Sequence, residues 1–288
     1  MKNYIIITPC KDEEKNLPSL FNSVLKQTIK PKLWVIVDDS STDNSKKIIQ
    51  KFATKTSFIK LISHSSNNRD LSKYSSVVKT GCNYAEEYCK KNKTKHDFIG
   101  ILDADIILEK NYYKKLIQKF NKYPKLGIAS GIIFSKYDDK LIYEKTDLNF
   151  PRGGIRLLRK KCYNSINGMP LVKHAPDSVC CAKAKLNNWI TMGFQDVKAI
   201  QIRPTSSAQG FWKGFKIRGE SDYYLGYNPI FALLKGIKYL ITRPNYKGIA
   251  FFYGYFSSLV SFNDKINDVL VRNYFFYSKS IEKVQKWF

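Results

Sequence analysis

The chain has 288 residues, which is enough for one large domain or for a domain with an appendage. It contains no run of about 18 apolar residues, the length that a membrane-spanning helix needs, so we expect none. Its 49 Lys and Arg residues outweigh 24 Asp and Glu residues and give a net charge of +25. This excess favours anionic partners such as phosphorylated substrates, anionic lipid or nucleic acid, unless it reflects lysines spread over solvated faces.

The six cysteines indicate a reducing compartment. None of them forms a Cys-x-x-Cys pair, and no spacing of His and Cys suits zinc. The chain also enters a predicted strand within a few residues of Met1, so no secretory signal is expected. We therefore predict free thiols and a cytoplasmic location, with peripheral binding to the inner face of the cell membrane as an extension of that prediction.

The first hundred residues predict buried strands that alternate with helices. The strands are expected at 4–8, 33–37, 58–62 and 98–102, where β-branched and other apolar residues run together. Between the first two strands, the apolar stripe from Leu17 to Leu25 is typical of an amphipathic helix, with Asn16 as its candidate N-cap. Strands that alternate with helices of about ten or more residues predict right-handed βαβ units and a parallel sheet.

Three of these strands run into polar residues at their carboxyl ends. The polar segments are Thr8 to Glu14, Asp38 to Asp43 and Asp103 to Asp105. Because the ligands of such sheets bind outside the carboxyl ends of the strands, we expect one shared site. Asp103 and Asp105 should project from the same side of the extended chain, where a divalent cation that carries a diphosphate would neutralise them. A solvated acidic turn is the alternative for this Asp-x-Asp pair.

Two common phosphate-binding motifs are missing from the sequence. There is no Gly-x-Gly-x-x-Gly after the first strand and no Gly-x-x-x-x-Gly-Lys-Ser/Thr. The first absence argues against a nicotinamide or flavin enzyme, and the second argues against a P-loop protein. We therefore expect phosphate to be held by metal and basic side chains rather than by a glycine-rich loop.

Four segments resemble the family 2 nucleotide-sugar glycosyltransferases of the GT-A fold. They are Ile7–Glu14, Val37–Asp43, Leu102–Asp105 and the later acid Asp177, and they span about the first two hundred residues. The resemblance implies an α/β, Rossmann-like GT-A fold, in which a mixed, mainly parallel sheet is flanked by helices and followed by a C-terminal amphipathic helical appendage. It also implies a glycosyltransferase of the hexosyltransferase type that works in polysaccharide or glycan biosynthesis.

The resemblance assigns the nucleotide to the first two strand ends. Thr8, Pro9 and Glu13 would line the nucleotide base and the ribose. Asp39 would accept a hydrogen bond from the base. The family often has Asn at the position of Cys10, a difference to which we attach no role.

The resemblance assigns the metal and the diphosphate to the later strand ends. Asp103 would lie against the ribose or the metal, and Asp105 would ligate Mg²⁺ or Mn²⁺ on the diphosphate. Relatives often carry His where Gln201 stands, sometimes as a third metal ligand, and Gln is a poorer ligand. Arg203 could steady the diphosphate.

A basic residue after the third strand should also support the phosphates. Arg69, Lys73 and Lys79 compete for this role, and we take Lys79 as the candidate. A second basic run, at 156–161, is interpreted either as a solvated helix face or as a contact for a phosphorylated acceptor.

Asp177 resembles the catalytic base of the family. It follows a loop at the start of a helix that is predicted to run through Trp189. An acceptor hydroxyl must lose its proton as it attacks the anomeric carbon, so the chemistry requires a base. As an alternative, Asp177 would serve as the N-cap of this helix.

The composition shifts after Gly226 to apolar and aromatic residues interspersed with lysines. We therefore predict a glycosyltransferase domain at 1–218 and a basic, aromatic helical tail at 219–288. Such segments suit a membrane interface, and the alternatives are helices that cover the sheet or form a dimer contact. We recognise no nucleic-acid-binding module, so nucleic acid is not expected as a partner.

These features together predict an inverting, metal-dependent transfer of a sugar from a UDP- or GDP-linked donor to a hydroxyl or phosphate of a glycan or lipid-linked acceptor. The Gln-x-x-Arg-Trp signature of processive synthases is missing, so we expect one sugar per encounter. A sugar-phosphate nucleotidyltransferase is one alternative, but it would need a Gly-rich basic loop where Cys10–Asp12 stands. A non-catalytic protein that binds carbohydrate or membrane is the other, and it would not need acids at three strand ends.

Overall fold

The computed structural model describes residues 2–65, 73–137, 140–202 and 210–279. The chain divides into two compact units, Met1–Arg203 and Pro204–Phe288. The predicted division after residue 218 stays a prediction, and the helix Phe211–Leu225 runs through that position.

The first unit is built on one sheet with helices on both of its faces. Its strands are β1 (Tyr4–Cys10), β2 (Leu33–Asp38), β3 (Ile59–Ser63), β4 (Phe98–Leu102), β5 (Ile106–Leu108), β6 (Leu126–Tyr137), β7 (Lys140–Tyr143), β8 (Ile155–Arg159) and β9 (Ile190–Gln201). Its helices are α1 (Leu17–Leu25), α2 (Ser45–Lys55), α3 (Lys73–Lys91), α4 (Tyr112–Lys122), α5 (Lys160–Ser165) and α6 (Pro176–Leu186).

Within the described residues, the strands form one nine-stranded sheet with the order β3-β2-β1-β4-β8-β6-β9-β5, and β7 pairs with β6. The neighbours from β3 to β4 are all parallel, and β6 is parallel to β9. β8 lies between β4 and β6 and runs antiparallel to both, while β5 is antiparallel to β9. The predicted class, an α/β fold with a mixed and mainly parallel sheet, is confirmed.

The central strands are apolar on both faces because helices cover both sides of the sheet. In β1, Tyr4 and Ile6 belong to the apolar layer under α1 and α4, whereas Ile5 and Ile7 belong to the layer under α3 and α6. Each fully buried large apolar side chain contributes roughly 1.5–3 kcal/mol to stability. All six cysteines are buried and free.

Gly81 determines how closely α3 packs on the sheet. A β-carbon at this position would lie 2.6 Å from Ile7 Cγ2 and 2.7 Å from Val37 Cγ2, so the helix backbone rests directly on β1 and β2. The first turn of α3, which begins with Lys73 and Tyr74, is therefore held in place by core packing.

The structure corrects two interpretations of the region after residue 150. Ile155–Arg159 forms β8 in the middle of the sheet, and Arg156 on it is fully buried, so a solvated helix face is wrong for this residue. The basic run becomes helical only from Lys160, in α5. The helix that contains Asp177 ends at Leu186, short of Trp189.

The second unit consists of helices in the residues that the structure describes. They are α7 (Phe211–Leu225), α8 (Pro229–Ile241), α9 (Tyr246–Val260) and α10 (Val269–Asn273), followed by a π-helical turn, Tyr274–Lys279. α7 and α9 pack backbone to backbone, because Gly219 faces the backbone of Phe251 and Gly254 faces the backbone of Lys216. Among the described helices of the whole chain, none combines the length and the apolar character needed to cross a membrane.

Candidate active site

A cleft of about 500 Å³ opens at the carboxyl ends of β1, β2 and β4. The residues that line it come from these strand ends, from the start of α3 and from the end of β9: Pro9, Cys10, Lys11, Glu13, Asp39, Lys73, Tyr74, Val77, Asp103, Ala104, Asp105 and Gln201. The parallel register brings the strand ends together, since Cys10 pairs with Asp38 and Ile7 pairs with Ile101. Asp39, Asp103 and Asp105 therefore reach one cleft.

The loops that follow β1 and β2 are joined to each other by hydrogen bonds. The Thr42 N–H donates to Asp12 Oδ1 at 2.7 Å, and the Glu14 N–H donates to Asp43 Oδ2 at 3.0 Å. The Asn44 N–H donates in turn to Glu14 Oε2 at 3.0 Å. The acids in these bonds stabilise the loop structure and do not line the cleft.

Asp39 is paired with a lysine at the start of α3. Lys73 Nζ lies 3.1 Å from Asp39 Oδ2, and the Asp39 side chain is only 7% exposed. Lys73 thus carries positive charge into the cleft, whereas Lys79, the candidate from the sequence, is exposed and lies outside the residues that line it. Arg203, which was predicted to steady the diphosphate, lies outside the described residues. So does Arg69, which competed with Lys73 and Lys79 for the phosphate contact.

The three residues predicted to line the base and ribose have different surroundings. Pro9 and Glu13 line the cleft. Thr8 does not, because it is fully buried and its Oγ1 accepts a hydrogen bond from Trp34 Nε1 at 2.9 Å. Glu13 Oε2 accepts from Asn16 Nδ2 at 2.5 Å, and Asn16 is the N-cap residue of α1 but makes no capping bond with its side chain.

Asp103 is held between α3 and β8. The Tyr74 hydroxyl donates to Asp103 Oδ1 at 2.9 Å, and the Asp103 N–H donates to the carbonyl of Gly154 at 2.8 Å. Burial, followed by the charge of Asp105, raises the pKa of Asp103 to about 7. Because the negative charge of Asp105 disfavours the charged form of Asp103, a cation close to both would stabilise the Asp103 carboxylate.

Asp105 is buried and hydrogen bonded to the end of β9. Gln201 Nε2 donates to Asp105 Oδ2 at 3.2 Å, because β5 and β9 place Ile106 opposite Gln201. No group of three or more His, Cys, Asp or Glu side chains that could hold a metal ion occurs in the described part of the chain. Asp103 and Asp105 fit a divalent cation that takes its other ligands from phosphate and water, which is the usual mode for Mg²⁺.

Asp177 lies in the first turn of α6 but does not cap this helix. The N-cap is Ala175, in the left-handed conformation with φ of 46°, and no described side chain makes the capping bond, so the capping interpretation is wrong. Asp177 is also not among the described residues that line the cleft. It faces Gly153, where a β-carbon would lie 3.1 Å from Asp177 Oδ2, and a β-carbon on Gly154 would overlap the carboxylate of Asp103. Gly153 therefore packs against Asp177, and the next residue, Gly154, packs against Asp103, which lines the cleft.

Sequence reasoning missed several residues of this site. Tyr74 lies in the first turn of α3, and nothing in the local sequence indicates that its hydroxyl will reach Asp103. The Gly153–Gly154 pair stands just before a strand, and glycines at such positions indicate that another group approaches the backbone closely. This pattern in the sequence could have identified the two glycines as part of the site. Arg156 was hidden by its basic neighbours, although it lies in an apolar strand pattern, Ile155–Leu158.

Comparison with known proteins identifies related sequences. Residues 5–177 match the family model described as Glycosyl transferase family 2. The poly-beta-1,6-N-acetyl-D-glucosamine synthase of Staphylococcus aureus (strain COL) is 22% identical over 131 residues, which is 46% of this chain and 28% of the synthase. The chain therefore matches less than a third of the length of that relative.

Solved structures show the same architecture. The crystal structure of S. aureus TarS 1–349 in complex with UDP gives a TM-score of 0.55 at 17% identity and covers 85% of this chain and 74% of that chain. The mannosyltransferase PcManGT from Pyrobaculum calidifontis, in complex with GDP-Man and Mn²⁺, gives a TM-score of 0.57 at 14% identity. The match covers 99% of this chain and 75% of that chain. At these identities the likeness shows the fold alone, and it confirms the predicted GT-A architecture.

Proposed function

The chain belongs to glycosyl transferase family 2, and from this premise we propose that it moves one sugar per encounter, with inversion, from a UDP- or GDP-linked donor to a hydroxyl or phosphate of a glycan or lipid-linked acceptor. The observation that carries this proposal is the position of Asp39, Lys73, Asp103 and Asp105 around one cleft. This arrangement offers carboxylates for a nucleotide and a cation, and a lysine for phosphate.

The donor would bind along the ends of β1, β2 and β4. Asp39 would accept a hydrogen bond from the nucleotide base, and Pro9 and Glu13 would lie against the base and the ribose. Lys73, which is 30% exposed in its side chain, can turn its ammonium group from Asp39 toward a phosphate. The UDP complex of TarS and the GDP-Man complex of the mannosyltransferase support a nucleotide-linked donor.

Mg²⁺ or Mn²⁺ would be held by Asp105 and Asp103. Bound there, the cation would offset the negative charge that develops on the leaving diphosphate. Gln201 and Tyr74 orient the two carboxylates through the hydrogen bonds described above. The Mn²⁺ in the mannosyltransferase complex supports this proposal.

Asp177 would act as the base for a hydroxyl acceptor. The acceptor oxygen forms a bond to the anomeric carbon and gives its proton to the Asp177 carboxylate. On the opposite face of the sugar, the bond between the anomeric carbon and the diphosphate oxygen breaks, and its electron pair leaves with the diphosphate. The configuration at the anomeric carbon is inverted as a result. The position of Asp177, which packs against Gly153 next to the Gly154 that contacts Asp103, supports this role.

The second unit is proposed to bind the inner face of the cell membrane. Exposed apolar side chains form a stripe on each of two helices: Ile230, Leu233, Leu234, Ile237 and Ile241 on α8, and Ile249, Tyr253, Phe256 and Val260 on α9. At the ends of α8, Ile230 and Ile241 are 70% and 77% exposed. Contiguous apolar faces of this kind mark interaction sites. The net charge of +25 favours anionic lipid over a second, equally positive copy.

The proposed function is tested by the release of free nucleotide. The purified full chain is incubated with UDP- and GDP-linked sugars, Mn²⁺ and a lipid-linked acceptor, after a thermal-shift screen has ranked the donors. Acceptor-dependent release of UDP or GDP is expected. Release of pyrophosphate from a sugar phosphate and a nucleoside triphosphate would identify a nucleotidyltransferase instead, and failure to bind any nucleotide sugar would contradict the proposal.

A further inference from the structure

The first turn of α3 contacts acids from two different strand ends. Lys73 Nζ lies 3.1 Å from Asp39 Oδ2, and the hydroxyl of the next residue, Tyr74, donates to Asp103 Oδ1 at 2.9 Å. Asp39 follows β2 and Asp103 follows β4, and all four residues line the cleft. Lys73 therefore lies where the proposed function places the nucleotide base, and Tyr74 lies where it places the cation.

Lys73 covers the carboxylate of Asp39. The Asp39 side chain is only 7% exposed although it lines an open cleft, whereas the Lys73 side chain is 30% exposed. A base N–H that donates to this carboxylate must come within about 2.7–3.2 Å of an oxygen. Lys73 Nζ already lies at such a distance from Oδ2. The base and the ammonium group therefore compete for Asp39.

The ammonium group is the partner that can move. The backbone of Asp39 is held, because its N–H donates to the carbonyl of Cys10 at 2.8 Å. The backbone of Lys73 is held as well, since Gly81 packs α3 directly on the sheet. The Lys73 ammonium group, in contrast, stands at the end of a flexible four-carbon stem and is partly exposed. Binding of a base should therefore turn the ammonium group away and leave the carboxylate in place.

The displaced ammonium group needs another anion. The other carboxylates that line the cleft already accept hydrogen bonds: Glu13, Asp103 and Asp105. Asp103 and Asp105 would also hold the cation. The phosphates of a nucleotide are therefore the anions that arrive together with the base, and a nucleoside brings none.

We propose that Lys73 makes the cleft selective for nucleotides that carry a diphosphate: it binds Asp39 in the empty cleft and gives the carboxylate up to the base when phosphate oxygens bind its ammonium group. This inference rests on the proposed function, because it takes Asp39 as the acceptor for the base. A nucleoside has to break the ion pair without compensation, whereas a nucleoside diphosphate supplies the new partner. One side chain thus couples recognition of the base to binding of the diphosphate.

The test compares a nucleoside with its diphosphate. Uridine and UDP, or guanosine and GDP if the chain prefers GDP, are titrated against the full chain with Mn²⁺ present. Lys73→Met keeps the apolar stem and removes the charge. We expect it to weaken binding of the diphosphate roughly tenfold, because a charged hydrogen bond is lost. Binding of the nucleoside should become about two- to fivefold tighter, because no ion pair has to be broken.

The opposite signs distinguish this role from simpler ones. A lysine that only contacts phosphate would leave the affinity for the nucleoside unchanged when it is replaced, and a lysine that only supports the fold would weaken both ligands. Nucleoside binding by Lys73→Met that equals or falls below that of the wild type would therefore overturn the inference. Lys73→Arg keeps a cation that can bind either partner, so it should keep the preference for the diphosphate.

Lys79→Met is the matched control on the same helix. Lys79 is exposed and does not line the cleft, so this variant should bind both ligands as the wild type does. A preference for the diphosphate that is lost equally in Lys79→Met would reflect the general charge of α3 rather than the contact with Asp39, and it would overturn the inference.

A double-mutant cycle then tests whether Lys73 acts through Asp39. In Asp39→Asn the amide keeps an oxygen for the base but forms no ion pair. In this background Lys73→Met should no longer tighten nucleoside binding and should still weaken diphosphate binding. A gain of the same size in both backgrounds would overturn the inference. If the wild type transfers sugar but Lys73→Met weakens both ligands alike, the inference fails and the proposed function stands. A wild type that binds no nucleotide overturns both.

Discussion

The backbone of Gly154 lies directly against the carboxylate of Asp103. A β-carbon on Gly154 would overlap Asp103 Oδ2, and the Gly154 carbonyl accepts the N–H of Asp103 at 2.8 Å. The residue just before β8 therefore leaves room for Asp103 at the edge of the cleft by having no side chain. Asp103 cannot keep its place if residue 154 carries even a methyl group.

Gly154→Ala should displace Asp103 and lower sugar transfer about 10²-fold, since small misplacements of reacting groups have effects of this size. Overpacking should also destabilise the fold by roughly 1–3 kcal/mol. Gly193→Ala is the matched control, because its β-carbon would lie 3.1 Å from Leu148 Cδ2, the end of a side chain that does not line the cleft, so this variant should keep wild-type transfer. Rates of nucleotide release and denaturant titrations measure both variants. Wild-type activity in Gly154→Ala would rule out a role for this contact.

Asp105→Asn should abolish the dependence of donor binding on Mn²⁺. The amide keeps the size of the side chain and an oxygen for Gln201, but it loses the charge that a cation needs. The thermal shift that UDP and Mn²⁺ produce together should disappear, and transfer should fall at least about 10²-fold. Asp43→Ala is the contrasting control, because Asp43 bonds the loop backbone: it should lose roughly 1 kcal/mol of stability and keep its response to Mn²⁺. An Asp105→Asn protein that still responds to Mn²⁺ would exclude Asp105 as a ligand.

Asp177→Asn should lower kcat by about 10²–10⁴-fold and leave the affinity for the donor unchanged. The unfolding midpoint should also stay the same, because Ala175 and not Asp177 is the N-cap of α6. Steady-state kinetics and donor titrations on the same protein preparation measure these quantities. A kcat equal to that of the wild type would show that Asp177 is not the catalytic base.

Lys73→Met should weaken the binding of UDP roughly tenfold, since a charged hydrogen bond to phosphate is lost. Lys79→Met is the control on the same helix, because Lys79 is exposed and outside the cleft, and its affinity should equal that of the wild type. Isothermal titration with UDP and Mn²⁺ compares the two variants. The opposite ranking would return the phosphate contact to Lys79, as the sequence alone suggested.

Leu234→Glu combined with Ile237→Glu should reduce binding to vesicles of anionic lipid, because it places two charges in the apolar stripe of α8. Leu141→Glu is the control, because Leu141 is an exposed apolar residue of the first unit, 51% exposed on β7. This variant also replaces an exposed leucine by a charge, and it should bind vesicles as the wild type does. Vesicle flotation at low and high salt measures the binding, which should weaken as salt increases. Unchanged flotation together with a dimer that dissociates would show that this face is a subunit contact.

The parallel half of the fold was predictable because its signals are local. The strands at Tyr4 and Leu33 are short apolar runs bounded by polar residues and proline, and the sheet follows from their alternation with amphipathic helices. The meeting of Asp39 with Asp105 follows from the general rule that parallel strands share one carboxyl edge. Neither inference needed knowledge of side-chain packing.

Features that depend on packing between distant segments could not be predicted in the same way. Lys73 rather than Lys79 faces the cleft because Gly81 fixes the helix on the sheet, and a helical pattern does not report that rotation. The burial of Arg156 depends on β8 entering the sheet between β4 and β6, a long-range pairing to which local charge patterns give no clue. A cap was the alternative role that the type and position of Asp177 suggested, but the N-cap of α6 is Ala175, two residues earlier and in the left-handed conformation.

The loops at 11–14 and 41–45 share their hydrogen bonds, so neither can be exchanged by itself. A graft of one loop from a relative with a different nucleotide preference would leave backbone N–H groups such as those of Glu14 and Thr42 facing carboxylates that are no longer there. Donor specificity in this chain should therefore be transplanted as a matched pair of loops, and chimeras that move one loop should fail before their specificity can be measured.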